Sequence, residues 1–315
     1  MKAAVIDRFG GPEDLAIRDV PVPAIDDDEV LVRVKYAGIG SWDIFEREGG
    51  YAEMLGLTPS FPYILGSEGS GVVRAKGKKV TGLEVGDEVY ATGFLNPKGG
   101  FYAEFAAVRA AFVVRKPEAL SLPEAGAVSG IGLTALRGLE DVLRLGKNEA
   151  VAILGASGGI GHIAVQLARQ MGARVFAIAS GEDGASAARA LGADAVVDGR
   201  RDDVRAAAEA FAPGGFDAAL LTAGGELAEA VIRCVRPGGR AAYPHGIHPI
   251  PGDRPDIELA GYHGEPDPDI IGRLHERIRS GGIKVLIDRV FDLEEARQAH
   301  IALRQHYVGK LCFKI

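Results

Sequence analysis

The chain has 315 residues, of which 47% are hydrophobic, and its 36 Lys and Arg against 43 Asp and Glu give a formal net charge of −7. At roughly 150 residues per domain, this length predicts two domains, each with room for its own core. The composition disfavours a disordered chain. The acidic balance, without a run of Lys and Arg, disfavours nucleic acid as a partner, because phosphate backbones are bound by clustered cations.

Cys234 and Cys312 are the only cysteines in the sequence. Their spacing is not that of metal ligands, so the sequence excludes a zinc site made of thiolates and a disulfide framework. So few cysteines fit a protein of the reducing cytosol. The apolar run of residues 3–6 ends at a charged pair before it reaches the length of a signal peptide. Residues 150–168 carry no formal charge, but glycines clustered around Ser157 indicate a turn and not a membrane span. We therefore expect a cytoplasmic protein without a membrane segment.

Residues 1–115 predict a unit of short strands, because Gly and Pro interrupt the sequence and no long stretch has helical periodicity. The predicted strands cover residues 3–7, 29–37, 69–75 and 88–92. This pattern favours an all-β or barrel-like unit.

From residue 120 the pattern changes to apolar runs that alternate with helical stretches. Residues 150–154 are five apolar residues followed by glycine, which predicts a buried parallel strand. Further strands are predicted at 174–179, 195–197, 218–222 and 240–243, with helices between them ending near 171, 191, 211 and 235. Strands that alternate with helices predict a doubly wound α/β sheet. After residue 244 we predict a helix over 268–280, a strand near 285–290 and a return of the chain to the first domain.

The most specific motif is the glycine-rich turn after the strand at 150–154. It consists of Gly155, Ala156, Ser157, Gly158, Gly159, Ile160 and Gly161. Glycine lets the chain turn tightly and lets a pyrophosphate approach the backbone, while the helix amino terminus offers N–H groups and a positive dipole end. The turn therefore predicts a dinucleotide site. The alternative is a turn that only packs the helix against the strand.

The end of the second strand decides between the two nicotinamide dinucleotides, because an acidic side chain there binds the ribose hydroxyls of NAD(H). Here the strand ends in Ala179 and Ser180, without a carboxylate at Ala179, which favours NADP(H). Arg189 and Arg200 are the candidate cations for its phosphate, although residues 182–183 are acidic.

The motifs occur in an order that resembles the medium-chain dehydrogenase/reductase superfamily, specifically its zinc-independent quinone oxidoreductase branch. The segment Asp43-Ile44-Phe45-Glu46-Arg47-Glu48-Gly49-Gly50-Tyr51 is similar to the branch's Asp-x-x-x-Arg-x-Gly-x-Tyr pattern. The resemblance covers nearly the whole chain. The other segments that show the resemblance are residues 37–39, 61–73, 86–89, 99–105, 132–135, the glycine-rich turn, 236–240 and 309–310.

This resemblance implies a Rossmann doubly wound parallel sheet domain inserted into a GroES-like (chaperonin-10-like) β-barrel domain, with the active cleft between them. We place the GroES-like domain at residues 1–118 and 263–315 and the Rossmann domain at 119–262. The resemblance also implies a homodimer, and it adds Thr134 and Lys310 to the predicted cofactor contacts.

In the zinc alcohol dehydrogenases of this superfamily, Cys and His ligands occupy the positions that here are Gly40 and Ser67, and the four-cysteine structural lobe is missing as well. The resemblance therefore implies a protein without zinc. A quinone or an α,β-unsaturated ketone accepts hydride without a Lewis acid, whereas an alcohol or simple aldehyde needs one. We expect an NAD(P)H-dependent oxidoreductase acting on such conjugated acceptors. The alternatives are an enoyl reductase acting on acyl chains and a catalytically silent dinucleotide-binding protein.

Three residues are candidates for the acceptor site. Tyr51 is the candidate proton donor by its motif, and a tyrosine that only packs is the alternative. Trp42 is expected either to line the acceptor pocket or to pack in the core. Gly40 stands where the branch usually has an active-site Asn.

The sequence departs from the branch at further positions. Gly184 and Gly199 stand where NADPH-binding members usually have Lys and Tyr. Residues 52–60 lengthen the loop after Tyr51, which either reshapes the substrate mouth or is a tolerated insertion.

Four histidines and one carboxylate receive no catalytic role from the sequence. His245 and His248 lack an obvious third ligand and are not interpreted as a metal site. His300 and His306 lie in a predicted carboxyl-terminal helix, and we expect both on the surface. Glu68 is interpreted as a structural carboxylate.

Overall fold

The structure of the protein is a computed structural model, and it describes residues 1–252 and 254–315. The chain divides into two compact units. Unit 1 comprises Met1–Gly130, Pro266–His275 and Val285–Ile315, and unit 2 comprises Ile131–Glu265 and Glu276–Lys284. The domain bounds given above from the sequence stay predictions.

Strands and helices alternate in different ways in the two units. In chain order the strands are β1 (Lys2–Ile6), β2 (Ala16–Asp19), β3 (Glu29–Ile39), β4 (Tyr63–Ile64), β5 (Glu68–Lys76), β6 (Glu88–Thr92), β7 (Phe105–Arg109), β8 (Val113–Arg115), β9 (Ala150–Leu154), β10 (Arg174–Ala179), β11 (Ala195–Asp198), β12 (Phe216–Leu221), β13 (Val235–Pro244), β14 (Glu258–Tyr262), β15 (Ile287–Asp292) and β16 (Lys310–Lys314). The helices are α1 (Ser41–Arg47), α2 (Gly50–Leu55), α3 (Leu122–Leu136), α4 (Gly159–Gln170), α5 (Gly181–Ala190), α6 (Val204–Phe211), α7 (Glu226–Arg233), α8 (Pro268–Gly281) and α9 (Ala296–Ala302). A π-helical segment, Arg137–Val142, follows α3, and short 3₁₀ turns occur at Pro12–Asp14, Ala110–Phe112 and Leu293–Glu295.

Unit 1 is built on β-sheets. Its larger sheet has the strand order β15-β16-β3-β5-β6-β8, with β7 paired to β3, and its smaller sheet has the order β2-β1-β4. β3 pairs antiparallel with β5, β7 and β16. Val30, Val32 and Val34 are buried along β3 while Arg33 is exposed, so one face of this strand packs into the core of the unit. The predicted GroES-like β domain is confirmed.

Unit 2 contains a parallel sheet with the strand order β11-β10-β9-β12-β13-β14. Each neighbouring pair is parallel. All residues of β9 are buried, as expected for a parallel strand that is covered on both faces. The order corresponds to that of the doubly wound dinucleotide-binding fold, and the predicted Rossmann sheet is confirmed.

Several elements were not predicted from the sequence, including the helices α1 and α2 in unit 1, and β14 and α3 illustrate the physical reasons. The edge strand β14 has the sequence ELAGY and is mostly part-exposed or exposed, so it has no buried apolar run to mark it. α3 contains three glycines, which lower helix propensity. At Gly126 a Cβ would lie 2.8 Å from the Tyr36 carbonyl oxygen, so close packing explains the glycine there. Within the described part of the chain, none of the helices is both long and apolar enough to cross a membrane.

Candidate functional site

The glycine-rich turn joins β9 to α4 in unit 2. Gly155 has a φ of +78°, and the N–H groups of Gly155 and Ala156 donate to the Ile178 carbonyl oxygen at 3.0 Å, which fixes the turn to β10. A Cβ at Gly161 would lie 2.0 Å from the Gly155 carbonyl oxygen. Only glycine therefore allows α4 to start this close to the turn.

Gly158 has a different environment from Gly161. A Cβ at Gly158 would meet one neighbouring atom, the Gly155 carbonyl oxygen at 3.3 Å, which is a tight contact but much less severe than the one at Gly161. Gly158 caps α4, whose first turn carries no acidic side chain. The first N–H groups of a helix lack intrahelical partners and lie at its positive end. These residues fit a bound pyrophosphate.

His162 supports this turn and was not found by the sequence analysis. Its ring is buried, and its Nδ1 lies 2.9 Å from the Gly158 carbonyl oxygen. Because a carbonyl only accepts hydrogen bonds, we assign the donated proton to Nδ1. His162 thereby orients the peptide of Gly158. A single histidine within a helical pattern gives no signal of this role.

The adenosine end of the predicted dinucleotide site lies where β10 ends. Ala179 is buried, and the Ser180 N–H donates to Ser157 Oγ at 3.3 Å. Of the two candidate cations, Arg189 pairs with the Glu182 carboxylate at 3.2 Å. Arg200 is exposed and follows the end of β11.

Asp198 is the carboxylate at this edge that the sequence analysis missed. It is the register partner of Ala179, and its Oδ1 accepts the N–H groups of Gly181 and Arg200, each at 3.0 Å. The hydrogen bond from Arg200, followed by that from Gly181, keeps the pKa of Asp198 below its usual range. Asp198 therefore fixes the backbone that carries Arg200.

The two glycines that replace Lys and Tyr of NADPH-binding relatives have crowded surroundings. A Cβ at Gly184 would lie 2.8 Å from Ser157 Cβ, and one at Gly199 would lie 2.7 Å from Leu227 Cδ2. Larger side chains at these positions would displace those neighbours.

In unit 1, an indole ring occupies the space beside Gly40. A Cβ at Gly40 would lie 2.6 Å from the benzene carbons of Trp42. The Lys310 Nζ lies 4.2 Å from the centroid of this ring and 2.8 Å from Glu68 Oε1. Glu68 Oε2 accepts the Gly130 N–H at 2.7 Å. Trp42, Lys310 and Glu68 thus form one contiguous cluster next to Gly40.

The ionic part of this cluster is buried: Lys310 is 2% exposed and Glu68 is 0% exposed. Removing one partner of such a pair leaves an uncompensated charge, which costs about 3–5 kcal/mol. These contacts agree with the structural role expected for Glu68, which stays a prediction. The Lys310 ammonium is held by Glu68, and its function as a cofactor contact stays a prediction.

The residues present do not fit the catalytic zinc of zinc-dependent relatives. Gly40 has no side chain, Trp42 fills the neighbouring space, and a serine hydroxyl at Ser67 is not a usual zinc ligand. Among residues 1–252 and 254–315, no group of three or more His, Cys, Asp and Glu side chains is placed to hold a metal ion.

Two buried carboxyl groups lie one turn apart on α1. Asp43 Oδ2 accepts the Gly40 N–H at 2.7 Å, and Glu46 Oε1 accepts the Tyr63 hydroxyl at 2.5 Å. Burial raises the pKa of Asp43 to about 7, and burial together with the Asp43 charge raises the pKa of Glu46 to about 8. Glu46 therefore holds a proton in much of the protein at neutral pH.

Tyr51 lies on α2 between two aromatic rings. Its ring is perpendicular to Phe45 and Phe94, with centroid distances of 4.7 and 5.0 Å. Burial, and then the carboxyl groups of Glu46 and Asp43, raise the pKa of Tyr51. A raised pKa keeps the hydroxyl protonated at neutral pH and makes it a poorer acid. Its role as proton donor stays a prediction.

Two further residues lie in the core. Thr134 is 9% exposed on α3, and its carbonyl oxygen accepts a hydrogen bond from the Tyr262 hydroxyl at 3.0 Å. The predicted contact of Thr134 with the cofactor stays a prediction.

The expectation that His300 lies on the surface is wrong, because this residue is 1% exposed. His300 Nδ1 accepts a hydrogen bond from the Arg47 guanidinium at 2.9 Å. Burial, and then the positive charge of Arg47, lower the pKa of His300 to about 3. α9 packs one of its faces inward, and His300 lies on that face.

Two family models match the chain. The model described as "Alcohol dehydrogenase GroES-like domain" matches residues 26–118, and the model described as "Zinc-binding dehydrogenase" matches residues 159–246. The second description applies to the family, since the chain lacks zinc ligands at positions 40 and 67.

The chain is similar to characterised proteins over most of its length. It is 34% identical to an alcohol dehydrogenase of Geobacillus stearothermophilus over 264 residues, which cover 76% of each chain. It is 30% identical to a quinone oxidoreductase of Rattus norvegicus over 321 residues, covering 95% of this chain and 93% of the rat protein.

Solved structures share the complete fold. An NAD-dependent alcohol dehydrogenase superposes with a TM-score of 0.90 at 28% identity, covering 100% of both chains. A mycobacterial protein complexed with NADPH superposes with a TM-score of 0.86 at 25% identity, also covering 100% of both chains. These findings confirm the resemblance predicted from the motifs, including that to the quinone oxidoreductases: the chain belongs to the medium-chain dehydrogenase/reductase superfamily of oxidoreductases.

Proposed function

We propose that the protein is a metal-free, NAD(P)H-dependent oxidoreductase that reduces quinones or α,β-unsaturated carbonyl compounds. One observation carries the proposal: the Trp42 indole fills the space beside Gly40, where zinc-dependent relatives have a ligand. Without a Lewis acid, acceptors that take up hydride through a conjugated system are favoured. The rat quinone oxidoreductase, similar over 95% of this chain, supports the same substrate class.

The residues of unit 2 would hold the cofactor. The backbone at Gly158 and the amino terminus of α4 would receive the pyrophosphate. The bound dinucleotide supplies the hydride. Ala179 and Ser180 leave the adenosine end without an acidic side chain on β10, and the exposed Arg200 is available for a 2′-phosphate. We therefore propose NADP(H) as the preferred cofactor, as in the mycobacterial neighbour.

The residues of unit 1 would provide the acceptor surface. Trp42 is held on its face by the Lys310 ammonium, and Tyr51 is held by Phe45 and Phe94. These fixed rings would contact a conjugated acceptor. The Tyr51 hydroxyl, protonated at neutral pH, would donate a hydrogen bond to an acceptor oxygen.

Oxidation of NADPH and NADH should be measured against a panel of quinones, alkenals and enoyl thioesters. We expect turnover with quinones or alkenals and little with thioesters. A preference for enoyl thioesters would assign the protein to the enoyl reductases acting on acyl chains. Cofactor binding without turnover of any acceptor would instead identify a silent dinucleotide-binding protein.

The cofactor preference is tested by calorimetry on matched arginine variants. Arg200→Ala should weaken NADPH binding about tenfold or more and leave NADH binding unchanged, since charged hydrogen bonds to a phosphate would be lost. Arg205→Ala, which removes an exposed arginine on α6, is the control, and Arg189→Ala tests the second candidate cation. Ala179→Asp should shift the preference toward NADH. If the wild type binds NADH more tightly than NADPH, the proposal for Arg200 is wrong. The absence of Lys and Tyr at Gly184 and Gly199 then predicts the cofactor preference better.

A further inference from the structure

Two histidines lie side by side at the carboxyl edge of the parallel sheet. β13 ends at Pro244 and β14 ends at Tyr262, and these two residues are register partners. The residues that follow are His245 and His263. The His245 N–H donates to the Tyr262 carbonyl oxygen at 2.8 Å. Their imidazole centroids are 4.2 Å apart, with an interplanar angle of 32°, so the two rings are in contact.

The local structure leaves room for this pair. A Cβ at Gly261 would lie 2.9 Å from His245 Cε1, so the glycine allows the His245 ring to lie against β14. The Tyr243 ring approaches His245 edge-on at a centroid distance of 6.1 Å. His245 and His263 are nevertheless exposed, so both rings exchange protons with water.

The position of the pair in the sheet relates it to the reactive end of a dinucleotide. The strand order reverses at β9, which carries the glycine-rich turn. In a doubly wound sheet the adenosine half lies over the strands on the side of β10 and β11, because the ribose-binding position follows the second strand. The nicotinamide half therefore belongs to the side of β12, β13 and β14. The two histidines end the last two strands on that side.

Reduction of a conjugated acceptor needs a proton as well as a hydride. Tyr51 is a weak acid, and Asp43 and Glu46 are buried. Imidazole is the side chain whose unperturbed proton affinity suits transfer near neutral pH. Partial burial, followed by the neighbouring His263, lowers the pKa of His245. The two rings are in contact, so His263 lies where it can act on the proton of His245.

We propose that His245 and His263 together form the proton donor for acceptor reduction; this inference rests on the proposed function. An enone would gain the hydride of the reduced nicotinamide at its β-carbon and the imidazolium proton at its α-carbon, so that the carbon–carbon double bond becomes a single bond. A quinone would gain the same hydride and proton to become a hydroquinone. The dinucleotide is oxidised, and the neutral imidazole pair takes a new proton from water.

The test compares His245→Gln and His263→Gln with the wild type, using NADPH with 1,4-naphthoquinone and with trans-2-hexenal. His248→Gln is the matched control, because it removes an exposed imidazole three residues from His245 on the same loop. We measure kcat between about pH 5.5 and 9, the range in which imidazole titrates, together with the solvent deuterium isotope effect and the NADPH dissociation constant.

In the wild type, kcat should fall as the pH rises across this range, because the imidazole donor must be protonated. Each pair variant should lose roughly 100-fold in kcat at pH 6.5 and lose this pH dependence, as is typical when a general acid is removed. NADPH affinity should stay within about twofold, and His248→Gln should behave as the wild type.

Three results would count against the pair as proton donor. Variants that keep the wild-type kcat and pH profile would show that the proton comes from elsewhere, while the proposed function stands. Variants that lose kcat but keep the wild-type pH profile and isotope effect would assign the pair a structural role. A wild type that binds NADPH but reduces neither acceptor would refute the proposed function and this inference together.

Discussion

Because Gly40 has no side chain, another residue can occupy the space beside it. The Trp42 indole occupies the space beside it, and the Lys310 ammonium lies on the face of that indole. Replacing Gly40 with the Asn usual in the quinone oxidoreductase branch would therefore displace the ring. We expect Gly40→Asn to destabilise the protein by about 1–3 kcal/mol, as overpacking does.

Trp42 is the only tryptophan in the chain, so intrinsic fluorescence reports directly on this displacement. The emission of Gly40→Asn should shift, and its urea midpoint should fall. Gly56→Asn is the control, since it introduces the same side chain at a glycine with nothing within 4 Å and with a φ of +63°, which Asn tolerates. An unchanged spectrum and midpoint in Gly40→Asn would show that the indole does not depend on the glycine.

The glycines of the turn should differ in what their substitution costs. A Cβ at Gly158 would meet the Gly155 carbonyl oxygen at 3.3 Å, so Gly158→Val should weaken NADPH binding while lowering the urea midpoint much less than Gly161→Val does. Gly161→Val would drive its Cβ into the Gly155 carbonyl and should lower the urea midpoint itself. Calorimetry and urea unfolding measure the two effects separately. Tight NADPH binding by Gly158→Val would show that the pyrophosphate does not approach this position.

At the scale of elements, α1 buries two carboxyl groups, and stability should therefore depend on pH. The pKa of Glu46 is raised from 4.5 to about 8 in the folded protein. The folded state then binds the proton more tightly than the unfolded state, so the stability from this group is present below about pH 4.5 and is lost as the pH rises to about 8.

Glu46→Gln removes this dependence and keeps an acceptor for the Tyr63 hydroxyl. The urea midpoint of the wild type should fall relative to that of Glu46→Gln as the pH rises between these limits. Glu53→Gln, which changes an exposed carboxylate on α2, should leave the wild-type dependence in place. Parallel curves for the wild type and Glu46→Gln would mean that Glu46 does not retain a proton on folding.

The elements differ in how far the sequence predicts them. β9 is a run of five buried apolar residues, and its glycine turn follows directly, so the strand, the turn and the doubly wound sheet are predicted from local pattern. β14 is a part-exposed edge strand defined by its pairing with β13, and pairing between distant segments has no local signal. α3 was missed because its glycines serve packing, which overrides helix propensity.

At the scale of the whole molecule, the side-chain clusters join residues that are far apart in sequence. Glu68 and Lys310 form an ion pair across the unit, and His245 meets His263 through strand register. Sequence patterns single out Lys310 and His245, but they do not predict the residues that these two contact. Those contacts depend on which strands are neighbours in the sheet. The same limit explains why His300 was expected on the surface, as its partner Arg47 lies on α1.

For the whole chain, we predict that no zinc takes part in the reaction. The two cysteines, Cys234 and Cys312, belong to no group of three or more His, Cys, Asp and Glu side chains that could hold a metal ion among the described residues. Positions 40 and 67 supply Gly and Ser. We expect elemental analysis to find substoichiometric zinc and 1,10-phenanthroline to leave NADPH-dependent quinone reduction unchanged. Added zinc should not raise the rate. If the purified protein instead holds close to one zinc per chain and a chelator abolishes turnover, then the metal-free interpretation of Gly40 and Trp42 is wrong, and so is the acceptor class proposed from it.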